Sequence, residues 1–121
     1  MTHPFRAAVE AGDIDAALRL LADDVVFLSP VAHKPYQGKE ATETILRAVF
    51  TVFEDLRYVR EIGTDDAALV FEARIGDKAL NGCDFIRLDR DGLISEFMVM
   101  IRPMSGLQAL ADAMAKKLSP P

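Results

Sequence analysis

Asn81-Gly82-Cys83-Asp84-Phe85-Ile86-Arg87-Leu88-Asp89-Arg90-Asp91-Gly92-Leu93-Ile94-Ser95 reads as a strand, a tight Asp91-Gly92 turn and the start of a second strand. Within the first strand an aspartate stands among Cys83, Phe85, Ile86 and Leu88. A carboxylate in such company must face water, find a partner, or shift its pKa and stay neutral. With the hairpin centred on Asp91, Asp84 faces Met98, Ile86 faces Glu96 and Leu88 faces Ile94. Side chains alternate along strands, so Asp84, Ile86, Leu88, Ile94, Glu96, Met98 and Met100 share one face. Cys83, Phe85, Phe97, Val99 and Ile101 then share the other. Centring the preceding hairpin on Asp77 adds Val70, Glu72 and Arg74 to the Asp84 face, which makes Arg74 a candidate ion-pair partner.

The rest of the chain frames this hairpin. A short helix over 5–11 ends at Gly12, and Asp13 caps a second helix carrying Ile14, Ala17, Leu18 and Leu21. Val25-Val26-Phe27-Leu28 is a short strand stopped by Ser29-Pro30, and a loop follows to Gly38. The spacing of Ile45, Val49, Val52, Phe53 and Leu56 predicts a long helix over about 39–54. Four strands over roughly 57–63, 67–75, 79–89 and 93–102 have short, turn-rich connections and form an antiparallel meander. Ser105 caps a last helix with Leu107, Leu110, Ala111, Met114 and Leu118, ended by Ser119-Pro120-Pro121. This order gives an α+β fold in which a curved sheet wraps helices on its concave face.

At 121 residues the chain forms a single domain over 1–121. A net charge of −5 disfavours a nucleic-acid partner, which needs a concentrated basic face. One cysteine, Cys83, forms no internal disulfide and suits a reducing, cytoplasmic compartment. Two histidines and one cysteine make a structural zinc site improbable, and no apolar run reaches membrane-spanning length.

Ala11-Gly12-Asp13-Ile14-Asp15, Leu21-Ala22-Asp23-Asp24-Val25-Val26-Phe27, Pro35-Tyr36-Gln37-Gly38-Lys39 and Asp84-Phe85-Ile86-Arg87-Leu88 with Asp91-Gly92-Leu93-Ile94 together resemble the nuclear-transport-factor-2-like superfamily. That group includes ketosteroid isomerases, limonene epoxide hydrolases, scytalone dehydratases and SnoaL-like polyketide cyclases. The resemblance implies a cone-shaped antiparallel sheet wrapped around helices, a cystatin-like roll, with an apolar cavity inside. Ketosteroid isomerases carry a tyrosine in the first helix, a general-base aspartate after the first strand, and a protonated aspartate in the sheet. Here those positions fall on Phe5, Ser29 and Asp84, so the resemblance does not extend to steroid isomerisation itself. In SnoaL-like cyclases an aspartate with polar neighbours does acid/base work, and His33 and Tyr36 sit on the loop that borders the cavity mouth. Arg74 with Asp84 and Glu72 or Glu96 imitates the water-activating group of limonene epoxide hydrolases.

The expected function is therefore a small-molecule pocket protein, with cofactor-free and metal-free acid/base catalysis on an apolar carbonyl compound. The alternative is a non-catalytic ligand-binding or association module. Asp84, His33 and Tyr36 are the catalytic candidates; Phe5, Phe27, Ser29, Phe53, Ile86, Glu96, Met98 and Met100 are the expected pocket lining. The outer sheet face, with Phe85, Phe97, Val99 and Ile101, is expected to bind a second copy of the chain.

Overall fold

The structure is a computed structural model, and it describes residues 2–119; Pro120 and Pro121, expected to end the last helix, lie outside the described residues. Helices α1 (Pro4–Glu10) and α2 (Ile14–Leu18) lead into β1 (Leu21–Leu28) and a two-residue β2 (Tyr36–Gln37). Helix α3 (Lys39–Val52) is followed by β3 (Glu54–Gly63), β4 (Asp66–Ile75), β5 (Lys78–Leu88), β6 (Ile94–Arg102) and α4 (Met104–Leu118). The six strands form one sheet in the order β2-β1-β6-β5-β4-β3. Strands β3 to β6 make the expected meander, while β1 runs parallel to β6. No helix among the described residues is long and apolar enough to cross a membrane.

Local chemistry accounts for most boundaries. The Asp13 carboxylate accepts from the Ala16 amide at 3.0 Å and caps α2 as expected. His3 caps α1: its Nδ1 accepts from the Phe5 amide at 3.1 Å, and the side chain is buried. Strand β1 begins earlier than Val25: Leu21 already lies in the core and pairs with Ile94 of β6. Ser105 lies inside α4 and does not cap it; Pro103 occupies that position.

Two one-residue effects set the faces of the sheet. The β4–β5 turn is the two-residue Gly76-Asp77, with Gly76 at φ +60, so Leu69 pairs with Asp84 and Phe71 with Gly82. Between β5 and β6, Asp89 Oδ1 accepts from the amides of Asp91 and Leu93 and tightens a loop that pairs Leu88 with Ile94. Ser95 then bulges out of the ladder, its hydroxyl donating to the Arg87 carbonyl. Beyond the bulge Asp84 pairs with Val99, and Phe85 with Met98. The expected faces of β6 are therefore exchanged: Phe97, Val99 and Ile101 accompany Asp84, while Glu96, Met98 and Met100 lie on the outer face.

The core fills the concave side, where Phe5 packs edge-on to Phe97 with ring centroids 5.0 Å apart. Phe71 lies across the backbone of Gly82, where a Cβ would overlap its ring. Glycine at this position lets an aromatic side chain lie flat on the sheet beside Asp84.

Candidate functional site

Asp84 points into the concave side and is buried. Tyr58, two strands away on β3, reaches across β4 and donates its hydroxyl to Asp84 Oδ2 at 2.9 Å. Tyr58 is held by Phe71, whose ring stands edge-on to it at 6.1 Å, and Phe53 packs against Phe71 from α3's end. Burial pushes the Asp84 carboxyl up to about 7, and the Tyr58 hydrogen bond limits the rise. Burial, and after it the Asp84 charge, raises Tyr58 well above its ordinary value, so it remains a neutral donor.

A cavity of about 30 Å³, room for a water or two, adjoins the pair. Its walls include Phe27, Leu46, Val49, Phe53, Phe71 and Phe97, with Leu110 from α4. Among the described residues Asp84 and Tyr58 are the only titratable groups lining it.

Of the expected site residues, Asp84, Phe27 and Phe53 line this cavity. Phe5 is fully buried against Phe97 and Phe50 and supports the wall from behind, and Ile86 faces the core without lining the cavity. Glu96, Met98 and Met100 lie on the outer face, for the reason of the Ser95 bulge. Ser29 spends its oxygen as a turn acceptor, from the amides of Val31 at 3.0 Å and Ala32 at 3.3 Å. Tyr36 packs on Phe27 at the outer groove, 6.1 Å between rings, and does not line the Asp84 cavity. His33 is exposed on the loop and lines neither space.

The ion pair entertained for Asp84 is ruled out by geometry. Arg74 is exposed and held by Glu54 at 2.9 Å and Asp55 at 2.7 Å, while Glu72 pairs with Arg57 at 2.6 Å. The grouping of Arg74, Asp84, Glu72 and Glu96 that would imitate an epoxide hydrolase is not assembled. Sequence reasoning missed Tyr58 altogether. The available signal was the need of a buried carboxyl for a donor, in a chain with only two tyrosines. No three His, Cys, Asp or Glu side chains among the described residues stand close enough to hold a metal ion.

A curved six-stranded sheet packed on helices, with a buried carboxyl on its inner face, defines a small α+β protein with an interior polar pair. The chain belongs to the SnoaL-like domain family, whose model matches residues 3–97. It is similar to the crystal structure of a steroid delta-isomerase from Pseudomonas aeruginosa, 46% identical, covering 93% of this chain and 84% of that one, with a TM-score of 0.88. It is also similar to an uncharacterised conserved protein with a cystatin-like fold from Silicibacter pomeroyi, 36% identical over 94% of this chain and 82% of that one, TM-score 0.88. A de novo designed protein with a curved β-sheet shares the fold, with 13% identity, 93% and 97% coverage and a TM-score of 0.71. No curated protein matches.

Proposed function

We propose that the chain binds a small apolar carbonyl compound with its oxygen against Asp84 and promotes its enolisation, as an acid/base enzyme of isomerase or cyclase type without a cofactor. The observation that carries this reading is the Asp84–Tyr58 hydrogen bond, buried at the edge of an otherwise apolar cavity. A neutral Asp84 accepts from Tyr58 at Oδ2 and has its other oxygen available to offer an O–H to a carbonyl. Charge developing on the carbonyl oxygen is stabilised strongly in such dry surroundings. The Asp84 proton passes to that oxygen, and the carboxylate takes the proton leaving the adjacent carbon. The product is the enol, and returning the proton to a different carbon gives an isomer. One carboxyl with a pKa of about 7 suits both roles near neutral pH.

The 46% identity to a protein named as a steroid delta-isomerase supports the isomerase class. Phe5 and Ser29, where the resemblance looks for a tyrosine and a base, favour a ketone other than a steroid. A second reading draws on the size of the cavity: about 30 Å³ between phenylalanines suits a packed cone whose main role is association. Under either reading the outer face serves as the contact with a second copy, and its lone cysteine fits a reducing cytoplasm.

Exchange of the α-hydrogens of a simple enolisable ketone, followed by NMR in heavy water, separates the readings. The acid/base reading expects exchange above the buffer rate in the wild type and none above it in Asp84→Asn. Because Asp84 acts from its neutral form, exchange should fall as pH rises through about 7. Wild-type exchange no faster than buffer removes the enzymatic reading.

A further inference from the structure

The space beside Asp84 is too small for any ketone beyond the carbonyl group itself, so the rest of a bound molecule must lie elsewhere. Outside it, between α3, α4 and the loop after β1, runs a groove of about 230 Å³. Phe27, Pro30, Val49 and Leu110 wall both spaces. The partition therefore consists of residues drawn from β1, the loop, α3 and α4, and joining the two spaces requires side-chain rotation at Phe27, Val49 or Leu110. The groove is lined mainly by apolar side chains, Ile45, Ala111, Met114 and Leu118 among them; its polar lining residues are Ser29, whose Oγ already accepts from two amides, and Tyr36.

Exposure points the same way. Val31 and Leu118, which border the groove, are 51% and 44% exposed, and α4 buries only Gly106 and Leu110 of its apolar stripe. Met114 adds an adaptable wall that fits hydrocarbon of irregular shape. Among the described residues no charged side chain lines the groove, which suits an occupant uncharged along its body.

We infer that the groove between α3 and α4 is the subsite for the hydrocarbon body of the ligand, and that the natural ligand is an elongated apolar carbonyl compound. Its oxygen sits at Asp84, its chain passes between Phe27, Pro30, Val49 and Leu110, and its tail lies along Ala111, Met114 and Leu118. This rests on the reading of Asp84 as the carbonyl-binding group.

Calorimetric titration with a series of straight-chain alkan-2-ones, from butanone to dodecan-2-one, tests it. Affinity should rise about fourfold for each methylene entering the groove and then level off once the groove is full. Ala111→Trp, which fills the groove, should abolish the dependence on length while leaving the weak binding of the shortest ketone. Ala115→Trp, at an exposed position on the groove's edge, should flatten the dependence with no cost to folding, which guards against a misfolded first variant. Binding that does not depend on chain length overturns the groove inference and leaves the Asp84 reading standing. Length dependence unchanged in both tryptophan variants also overturns it. Failure of every ketone to bind the wild type overturns the Asp84 reading together with this one.

Discussion

At Asp84, folding raises the carboxyl pKa from 3.8 to about 7. Between those values the folded chain holds a proton that the unfolded chain has released. This contribution to stability is fully present below about pH 4 and is lost as pH rises to about 7, where the buried carboxylate costs about 4 kcal/mol. Asp84→Asn keeps an acceptor for Tyr58 and never ionises. Urea unfolding across pH should find it near wild type at about pH 4 and more stable above 7, by up to about 4 kcal/mol; a loss of stability at high pH contradicts the buried neutral acid. Tyr58→Phe removes the donor that holds the pKa down, so the same experiment should find the fall in stability extending to higher pH. It should also find a loss of roughly 1–3 kcal/mol at about pH 8, where the carboxylate is left unpartnered. Asp84 was legible in the sequence because an acid among apolar strand residues is an anomaly with few physical resolutions. Tyr58 was not, since its contact depends on two successive strand registers that no local pattern specifies.

Each strand from β3 to β6 could be read from its β-branched and aromatic residues and from the turn chemistry between them. The register could not, because a single residue decides it. Ser95 adds one residue to β6, and that alone moves Phe97, Val99 and Ile101 to the interior and Glu96, Met98 and Met100 outside. The turn at Gly76-Asp77 does the same on the other side of β5, removing Val70, Glu72 and Arg74 from Asp84's face. Both sides of β6 are apolar, so hydrophobic alternation carried no signal to reveal the slip. The β4–β5 pairing also explains why Gly82 belongs beneath Phe71. Gly82→Ala should force Phe71 off the sheet and loosen Tyr58. Thermal unfolding should record a loss of about 1–3 kcal/mol, and a fully tolerated alanine would mean that Phe71 does not lie where the pairing puts it.

For the molecule as a whole, element order and turn spacing were enough to give a curved sheet over helices, and the family follows from the same segments. The composition of each face depends on the strand registers, which element order does not specify. The outer face carries Ile62, Phe85 and Met100, which are 51%, 37% and 53% exposed, in place of the Phe97, Val99 and Ile101 expected there. Pairing two copies through this corrected face would cover them. The proposed pairing expects the wild type to sediment as a dimer and Met100→Glu as a monomer at about micromolar concentration; a monomeric wild type contradicts the pairing, and a dimer unchanged by the substitution contradicts this face as its contact.

The account stands on Asp84 being a neutral acid inside the folded protein, and carbon-13 NMR of aspartate-labelled protein observes that state directly. A resonance absent from Asp84→Asn should keep the shift of a protonated carboxyl at about pH 5.5, where ordinary aspartates are ionised, and should titrate with a midpoint of about 7. A resonance at that position already ionised at about pH 5 would contradict the account.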